Sequence, residues 1–389
     1  MLKAMGDRYD VAVVGAGIVG LAHATLLAQE GLKVVVVERG HRALGASVRN
    51  FGMIWPIGQP PGEMREMALR SRETWLDVLA AAGIWHARVG SLHLAYHEDE
   101  LAVLTEFVGR HPEYGARIVG PSETLQRSPV VRPDGLLGAM WSPQELCVDP
   151  REVVSRLPDY LRSLGVEFRF AAAASHVETG ILLAGGERIQ ADHILLSTGD
   201  DLETLFPARF AAMGLVRTKL QMLRARPRRA DYRIGAHLCA GLTLGHYANF
   251  RDCATLEPLL ERFARELPEH VWWGVHLLVS QHENGDLTIG DSHEYGPSPD
   301  PFLRESIDRL ILDYLNTFLP LEDFEVVERW QGVYAKHPHK GYVVEELAKG
   351  VTAATGVGGA GMTLSFGLAR TAIERSFLPN KPTRPGTIA

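Results

Sequence analysis

Cysteine is scarce in this chain. Cys147, Cys239 and Cys253 are the three among 389 residues, far apart and without a C-x-x-C pair. That spacing excludes a disulfide framework and a cysteine-built zinc site, and it fits a reducing cytoplasm. Positive charge is short as well, with 40 Lys and Arg against 47 Asp and Glu and a net charge of −7. Nucleic acid is therefore not an expected partner, because phosphate binding rests on accumulated Lys and Arg. The one basic cluster, Arg217, Lys219, Arg224, Arg226, Arg228 and Arg229, reads as a solvated strand-and-loop surface. No uninterrupted apolar stretch reaches the ~18 residues of a membrane span. The most apolar segment, 11–29, is broken by Gly15, Gly17 and Gly20, which suits a nucleotide fold better than a signal peptide. Internal repeats and low-complexity tracts are lacking too.

What is present begins with that glycine spacing. Tyr9–Val14 is a short β-branched run that reads as a buried parallel strand. Gly15-x-Gly17-x-x-Gly20 follows at once, 18–29 reads as a helix closed by Gly31, and Lys33–Glu38 reads as the next strand. This is βαβ order. Gly15 permits the tight turn and Gly17 lets backbone amides approach a pyrophosphate at the positive helix end. Gly20 lets helix and strand pack closely. Glu38 lies 18 positions after Gly20, near the ~20 expected of the acid that accepts hydrogen bonds from ribose hydroxyls. A dinucleotide site follows, but this motif alone does not separate FAD from NAD.

Three further segments bear on that choice: Gly45-Ala-Ser-Val-Arg-Asn-Phe-Gly52, Asp192–Gly199, and Val351–Thr363 with its run Gly356-Val-Gly-Gly-Ala-Gly361-Met-Thr363. The last leaves too little chain after it for a second βαβ unit. It reads instead as a strand, a glycine loop and a helix whose positive N-terminus faces the same site and favours negative charge there. In this combination the chain resembles the D-amino-acid oxidase-like superfamily of flavoproteins, which includes glycine oxidase, sarcosine oxidase and D-amino-acid dehydrogenase. The resemblance runs over nearly the whole chain. It implies non-covalent FAD held by Gly15, Ala16, Gly17, Ile18, Val19, Gly20, Glu38, Arg39, Ala46, Ser47, Arg49, Asn50, Phe51, Gly52, Val177, Thr198, Gly199, Gly356, Gly358, Gly359, Gly361, Met362 and Thr363. Val177 would lie against the adenine, and Gly356 to Thr363 at the pyrimidine edge of the flavin.

The fold class expected is α/β: a Rossmann-type FAD-binding domain of the glutathione-reductase kind, with a second domain built on an antiparallel sheet. The resemblance divides the chain into 1–85, 145–215 and 330–389 for FAD, and 86–144 and 216–329 for substrate. Locally, Arg88–Tyr96 reads as a strand and Glu98–Arg110 as an amphipathic helix. Leu277–Gln281 and Leu287–Ile289 read as a hairpin around Asn284-Gly285, and Ser306–Phe318 as a helix stopped by Pro320. The final Pro-rich tail is expected to be mobile.

The function implied is oxidation of a small primary or secondary amine, with oxygen or a quinone-type carrier as final acceptor. In glycine oxidase-like relatives a Trp-x-Gly-x-Arg-Pro strand supplies an Arg that grips the substrate carboxylate. Here the matching segment runs from Trp330 to Lys340, and Tyr334 stands where that Arg would be. A Tyr cannot replace a planar Arg fork, so a plain α-amino acid is the less favoured substrate. Lys336, His337, His339 and Lys340 follow and suggest an anion clamp. Ser47–Pro56 and Ile289–Tyr295 resemble a glycine-oxidase-like subgroup linked to phosphonate breakdown, which points to an aminoalkylphosphonate or its N-methyl form. Arg49, Trp55, Tyr247 and His276 are further pocket candidates, with Met53, His282, His293 and Tyr295 behind them. His337 and His339 lack a carboxylate partner at useful spacing, so no metal is expected. Lys219 or Lys336 could provide the positive charge that favours oxygen reactivity. Three alternatives remain open: a glycine, sarcosine or D-amino-acid enzyme; an aromatic monooxygenase, suggested by Gly290-Asp291; and a flavin-bearing subunit of a larger dehydrogenase.

Overall fold

A computed structural model of the chain describes residues 8–376; the proline-rich tail expected to be mobile lies outside them. Five strands form a parallel core in the order Val351–Thr355, Glu187–Leu196, Arg8–Val14, Val34–Val37 and Glu167–Arg169. Alternate side chains of a strand leave by opposite faces, and here both faces are covered. Val11, Val13, Val34 and Val36 join one apolar cluster with Leu21, Trp75 and Phe366. Ala12, Val14, Val35 and Val37 join another with Leu182, Phe210 and Val351. Burial on both sides is why these strands are near-continuous valine rather than alternating. Antiparallel strands Ala174–Glu178, Ile181–Ala184 and Val343–Ala348 complete this sheet of eight. Helices Ile18–Gln29 and Glu63–Ala82 both pack on helix Gly361–Ser376.

The second sheet has nine strands. Its spine is the antiparallel pair Val216–Pro227 and Phe324–Lys336, in register with Thr218 opposite Tyr334. The latter strand pairs along its length with Val216–Pro227, and Lys336 at its end bridges to Val357 in the late glycine turn. The sheet is not purely antiparallel, since His237–Cys239 runs parallel to Ser91–Ala95. The expected strand 88–96 is two, His86–Arg88 and Ser91–Ala95. Val89 and Gly90 both donate their amides to the Glu145 carbonyl, which breaks the strand between them. Helix Glu98–Arg110 stands as expected. The helix predicted to reach Phe318 ends at Leu315. Strands Leu278–Gln281 and Leu287–Gly290 form the expected hairpin, but its loop is the five residues 282–286. A small sheet of Met53–Ile54, Leu146–Val148 and His86–Arg88 lies apart from these two.

Candidate active site

A cavity of about 1190 Å³ is lined by residues of both large sheets, above the roughly 300–1,000 Å³ of an ordinary ligand pocket. From the fingerprint it takes Gly15, Gly17, Ile18, Val19, Glu38 and Arg39. The strand Arg8–Val14 delivers the turn, where the Gly15 amide donates to the Val37 carbonyl at 2.8 Å. Glu38 is held beside it, accepting from the Ala16 and Gly40 amides at 3.0 and 2.9 Å. Ser47 Oγ accepts from the Ile18 amide at 2.9 Å, so the 46–52 loop is tied to the helix start.

Within that loop the expected residues divide. Ala46, Ser47, Arg49, Asn50 and Phe51 line the cavity, whereas Gly52 does not. A Cβ on Gly52 would lie 2.0 Å from the Val148 carbonyl oxygen. Asn50 donates to the Ala46 and Ser47 carbonyls and accepts from the Gly52 amide, so its polar atoms hold the loop's own shape. Arg49 donates to the Gln331 carbonyl at 3.3 Å, and its own carbonyl accepts from Trp330 Nε1. Thr198, Gly199, Gly356, Gly358, Gly359, Gly361, Met362 and Thr363 also line the cavity. Ala16 and Gly20 lie behind the lining. Val177 is buried in the apolar cluster beneath the sheet, and Ala172, Ala173 and Ala174 take the wall instead. One-residue resolution of this kind depends on strand register, which sequence pattern does not give.

Tyr334, Lys336, His337, His339, Trp55, Tyr247 and His276 line the cavity too, as do Met53 and His293. Tyr334 and Lys336 leave the same face of their strand and meet the late glycine turn. A Cβ on Gly359 would stand 3.4 Å from Tyr334 Oη, and one on Gly358 3.4 Å from Lys336 Cγ. Burial, aided by the nearby Arg251 charge, lowers the Lys336 pKa. His337 spends its Nδ1 accepting from the His339 and Lys340 amides, each at 3.0 Å. His339 and Lys340 are exposed. Lys340 lines the cavity as well, and of the cationic run Lys336 is the member whose stem packs on Gly358. Lys219 is fully buried against Glu294 at 2.8 Å and is not among the lining residues. His282 bonds Thr288 at 2.8 Å and Tyr295 is exposed; neither lines the cavity.

Sequence reasoning missed His246, Arg251 and Asp291, which all line the cavity. They lie in short or irregular segments with no periodic signal. Asp291 had been noticed as part of Gly290-Asp291, where no helix follows until Glu305. His246 overlaps His276 with ring centroids 3.8 Å apart and His293 at 4.5 Å. In sequence the closely spaced pair is His337 and His339. The fold instead brings one ring nitrogen each of His246, His276 and His293 within 4.8 Å of one another. Asp291 Oδ1 is 3.0 Å from His276 Nε2 and 3.8 Å from His293 Nδ1. Burial lowers the pKa of all three imidazoles and raises that of Asp291. Burial likewise raises the Tyr247 and Tyr334 phenols, which therefore stay protonated. All three cysteines are buried and free.

The family described as FAD dependent oxidoreductase (DAO) matches residues 10–375. A D-amino acid dehydrogenase of Helicobacter pylori (strain ATCC 700392 / 26695) is 26% identical over 249 residues, 49% of this chain and 60% of that protein. A glycine oxidase of Geobacillus kaustophilus is 27% identical over 175 residues, 41% of this chain and 45% of that protein. The chain thus spans well under two thirds of these relatives' lengths. The fold is similar to that of L-proline dehydrogenase from P. horikoshii, with a TM-score of 0.78, 18% identity and 95% and 93% of the two chains covered. Glycine oxidase from Bacillus cereus gives 0.76 at 18% identity, over 94% and 96%.

The cradle suits FAD. Gly17 gives the helix Ile18–Gln29 no side-chain cap; Ser47 Oγ takes the Ile18 amide, and the positive end as a whole favours a phosphate. A Cβ on Gly17 would stand 3.1 Å from Ser47 Oγ and fill the space before that end. Among the described residues no helix is long and apolar enough to cross a membrane. The mixed α/β fold, the glycine cradle and the match over residues 10–375 lead to one conclusion: the chain belongs to the DAO family of FAD-dependent oxidoreductases.

Proposed function

We propose that the protein oxidises a small amine bearing a dianionic end, an aminoalkylphosphonate or its N-methyl form. Bound FAD supplies the two-electron acceptor for hydride from the carbon next to nitrogen. The glutathione-reductase-like arrangement read from the sequence would place it along the fingerprint, with Ser47, Arg49 and Phe51 beside its length and the turn Gly356–Thr363 at the ring. The observation that carries the substrate reading is the pairing of Tyr334 with Lys336 on one strand face. Where relatives of the glycine-oxidase kind are expected to offer one planar guanidinium, this cavity offers a neutral phenol, a half-buried ammonium and the Arg251 guanidinium at its rim. Separate point charges suit a tetrahedral oxyanion better than a planar carboxylate, which gains most from a bidentate fork. Trp55, Met53 and Tyr247 give the same cavity an apolar wall that excludes water from the reacting carbon. The imine product hydrolyses in water to an aldehyde or ketone. Lys336 is the cation beside the glycine turn that would favour oxygen as acceptor, and a quinone or protein carrier is the other outcome.

Anaerobic bleaching of the flavin, compared for 2-aminoethylphosphonate, its N-methyl form, glycine, sarcosine and D-alanine, tests the reading. The phosphonates should win by kcat/KM. Equal or better use of the carboxylates would assign the protein to the glycine or D-amino-acid enzymes instead, and bleaching by NADPH alone would favour a monooxygenase.

A further inference from the structure

The chemistry proposed so far uses neither His276 nor Asp291, which both line the cavity. Their backbones exchange hydrogen bonds just beyond the hairpin ladder, His276 N–H to the Asp291 carbonyl at 3.1 Å and Asp291 N–H to the His276 carbonyl at 2.8 Å. This fixes His276 Nε2 3.0 Å from Asp291 Oδ1. Both side chains are about 95% buried, and neither His276 Nδ1 nor Asp291 Oδ1 has a hydrogen-bond partner among the described residues. His246 lies over the His276 ring and is half-buried on the cavity wall. The titratable and charged groups around the pair are His293 and Tyr295 from its own segment. His246, Tyr247 and Arg251 face it from 242–251, and Tyr334 and Lys336 from the long strand.

A buried carboxyl group beside an imidazole with a vacant nitrogen is costly to hold, and perturbed titratable groups of this kind in a cleft mark a functional site. The substrate class proposed above brings one. An alkylammonium keeps its proton up to about pH 10, as lysine does, and an ammonium nitrogen has no lone pair with which to expel hydride from the adjacent carbon. We propose that His276 and Asp291, reached through His246 at the cavity face, accept that proton; this rests on the amine-oxidation reading. The ammonium N–H bond breaks, its electron pair stays on nitrogen, the proton binds an imidazole nitrogen, and the Asp291 carboxylate balances the new charge. The Lys336 and Arg251 charges disfavour the ammonium form, and they lower the His246 imidazole in the same way, so the counter-charge for the transferred proton must come from Asp291. A metal ion suits the cluster less well. The rings overlap partly face to face, with tilts of 34°, 41° and 22°, so their in-plane lone pairs run more side by side than toward one point.

The test uses the flavin-loaded protein and N-methyl-2-aminoethylphosphonate, followed by anaerobic stopped flow from pH 6 to 10. Asp291→Asn and His276→Asn should lower the bleaching rate at pH 7 about 100-fold. Their rates should then climb tenfold per pH unit toward the amine's own pKa and recover most of the loss there. Methylphosphonate, which has no amine, should perturb the flavin spectrum at the same concentration in both variants as in the parent. Variant profiles that run parallel to the parent at every pH overturn the proposal. Should these variants fail to retain flavin, His246→Asn at the cavity face carries the same prediction and the same refutation. If the parent's flavin is bleached by none of the amines screened, the amine reading itself falls and this one falls with it. Bleaching of the parent with an unaltered pH profile in the variants removes this inference alone.

Discussion

Gly15 and Ser197 meet so closely that a Cβ on Gly15 would stand 2.4 Å from the Ser197 carbonyl oxygen. The contact lies where the strands Arg8–Val14 and Glu187–Leu196 end side by side, with the Ser197 amide donating to the Val14 carbonyl at 2.9 Å. Gly15 also turns at φ +104, where a side chain is strained. The cofactor turn is therefore built on an absent side chain.

Gly15→Ala should cost roughly 1–3 kcal/mol of local strain, spent where the pyrophosphate is expected. The purified variant should hold at least about tenfold less tightly to FAD, read as the 450 nm to 280 nm absorbance ratio after gel filtration. Full retention of yellow colour would show that the turn is not part of the cofactor seat.

Lys336→Met keeps the apolar stem against Gly358 and removes the charge. A charge-assisted hydrogen bond contributes about 1.5–3 kcal/mol, so KM for an aminoalkylphosphonate should rise roughly 10- to 100-fold, with kcat changed far less. Lys349→Met, altering an exposed position outside the cavity lining, should leave KM alone. If both variants behave alike, the anion is held elsewhere.

Thr363 Oγ1 accepts from the buried Trp55 amide at 2.9 Å, tying the start of helix Gly361–Ser376 to the apolar wall. Thr363→Val is close in shape but leaves that amide unpaired, at a cost of about 1–3 kcal/mol. Thermal unfolding should register the loss, and Trp55 fluorescence should broaden or shift. An unchanged midpoint would mean the amide finds another partner.

His93 is buried beside Trp55 and Phe250, at centroid distances of 5.6 and 5.9 Å, with neither ring nitrogen hydrogen-bonded among the described residues. Burial pushes its pKa down to about 3. The unfolded chain takes up that proton near pH 6.5 while the folded chain refuses it, so stability is full above pH 6.5 and is lost as pH falls toward 3. Each such group contributes a slope of about 1.4 kcal/mol per pH unit. His23 and His237, both lowered to about 4 by burial, act in the same sense. His93→Phe should therefore narrow the gap between urea midpoints measured at pH 7 and pH 5. A gap as wide as the parent's would show that His93 does not titrate with unfolding.

Much of the fold was legible because its signals are contiguous. The valine run Val34–Val37, the glycine spacing 15–17–20 and the acid at 38 each state a local demand that any tertiary context must meet. The helix Glu98–Arg110 carries its own start, with the Glu100 carboxylate accepting the His97 amide at 3.2 Å. Of the expected residues that fell behind the lining, Ala16, Gly20 and Gly52 sit next in sequence to residues that line it, and Val177 lies three positions after Ala174. Backbone direction, set by register and turn geometry, separates such neighbours.

The amino-acid order by itself determined that a dinucleotide-type βαβ unit is present from Arg8 onward and that a second glycine turn, Gly356–Gly361, follows a later strand. Tertiary structure alone decided that His246, His276, Asp291, His293 and Lys336 share one wall. These residues come from a five-residue helix, the two sides of a hairpin and a distant strand. Their meeting depends on pairing 216–227 with 324–336 in one register, and chain separation carries no trace of that distance.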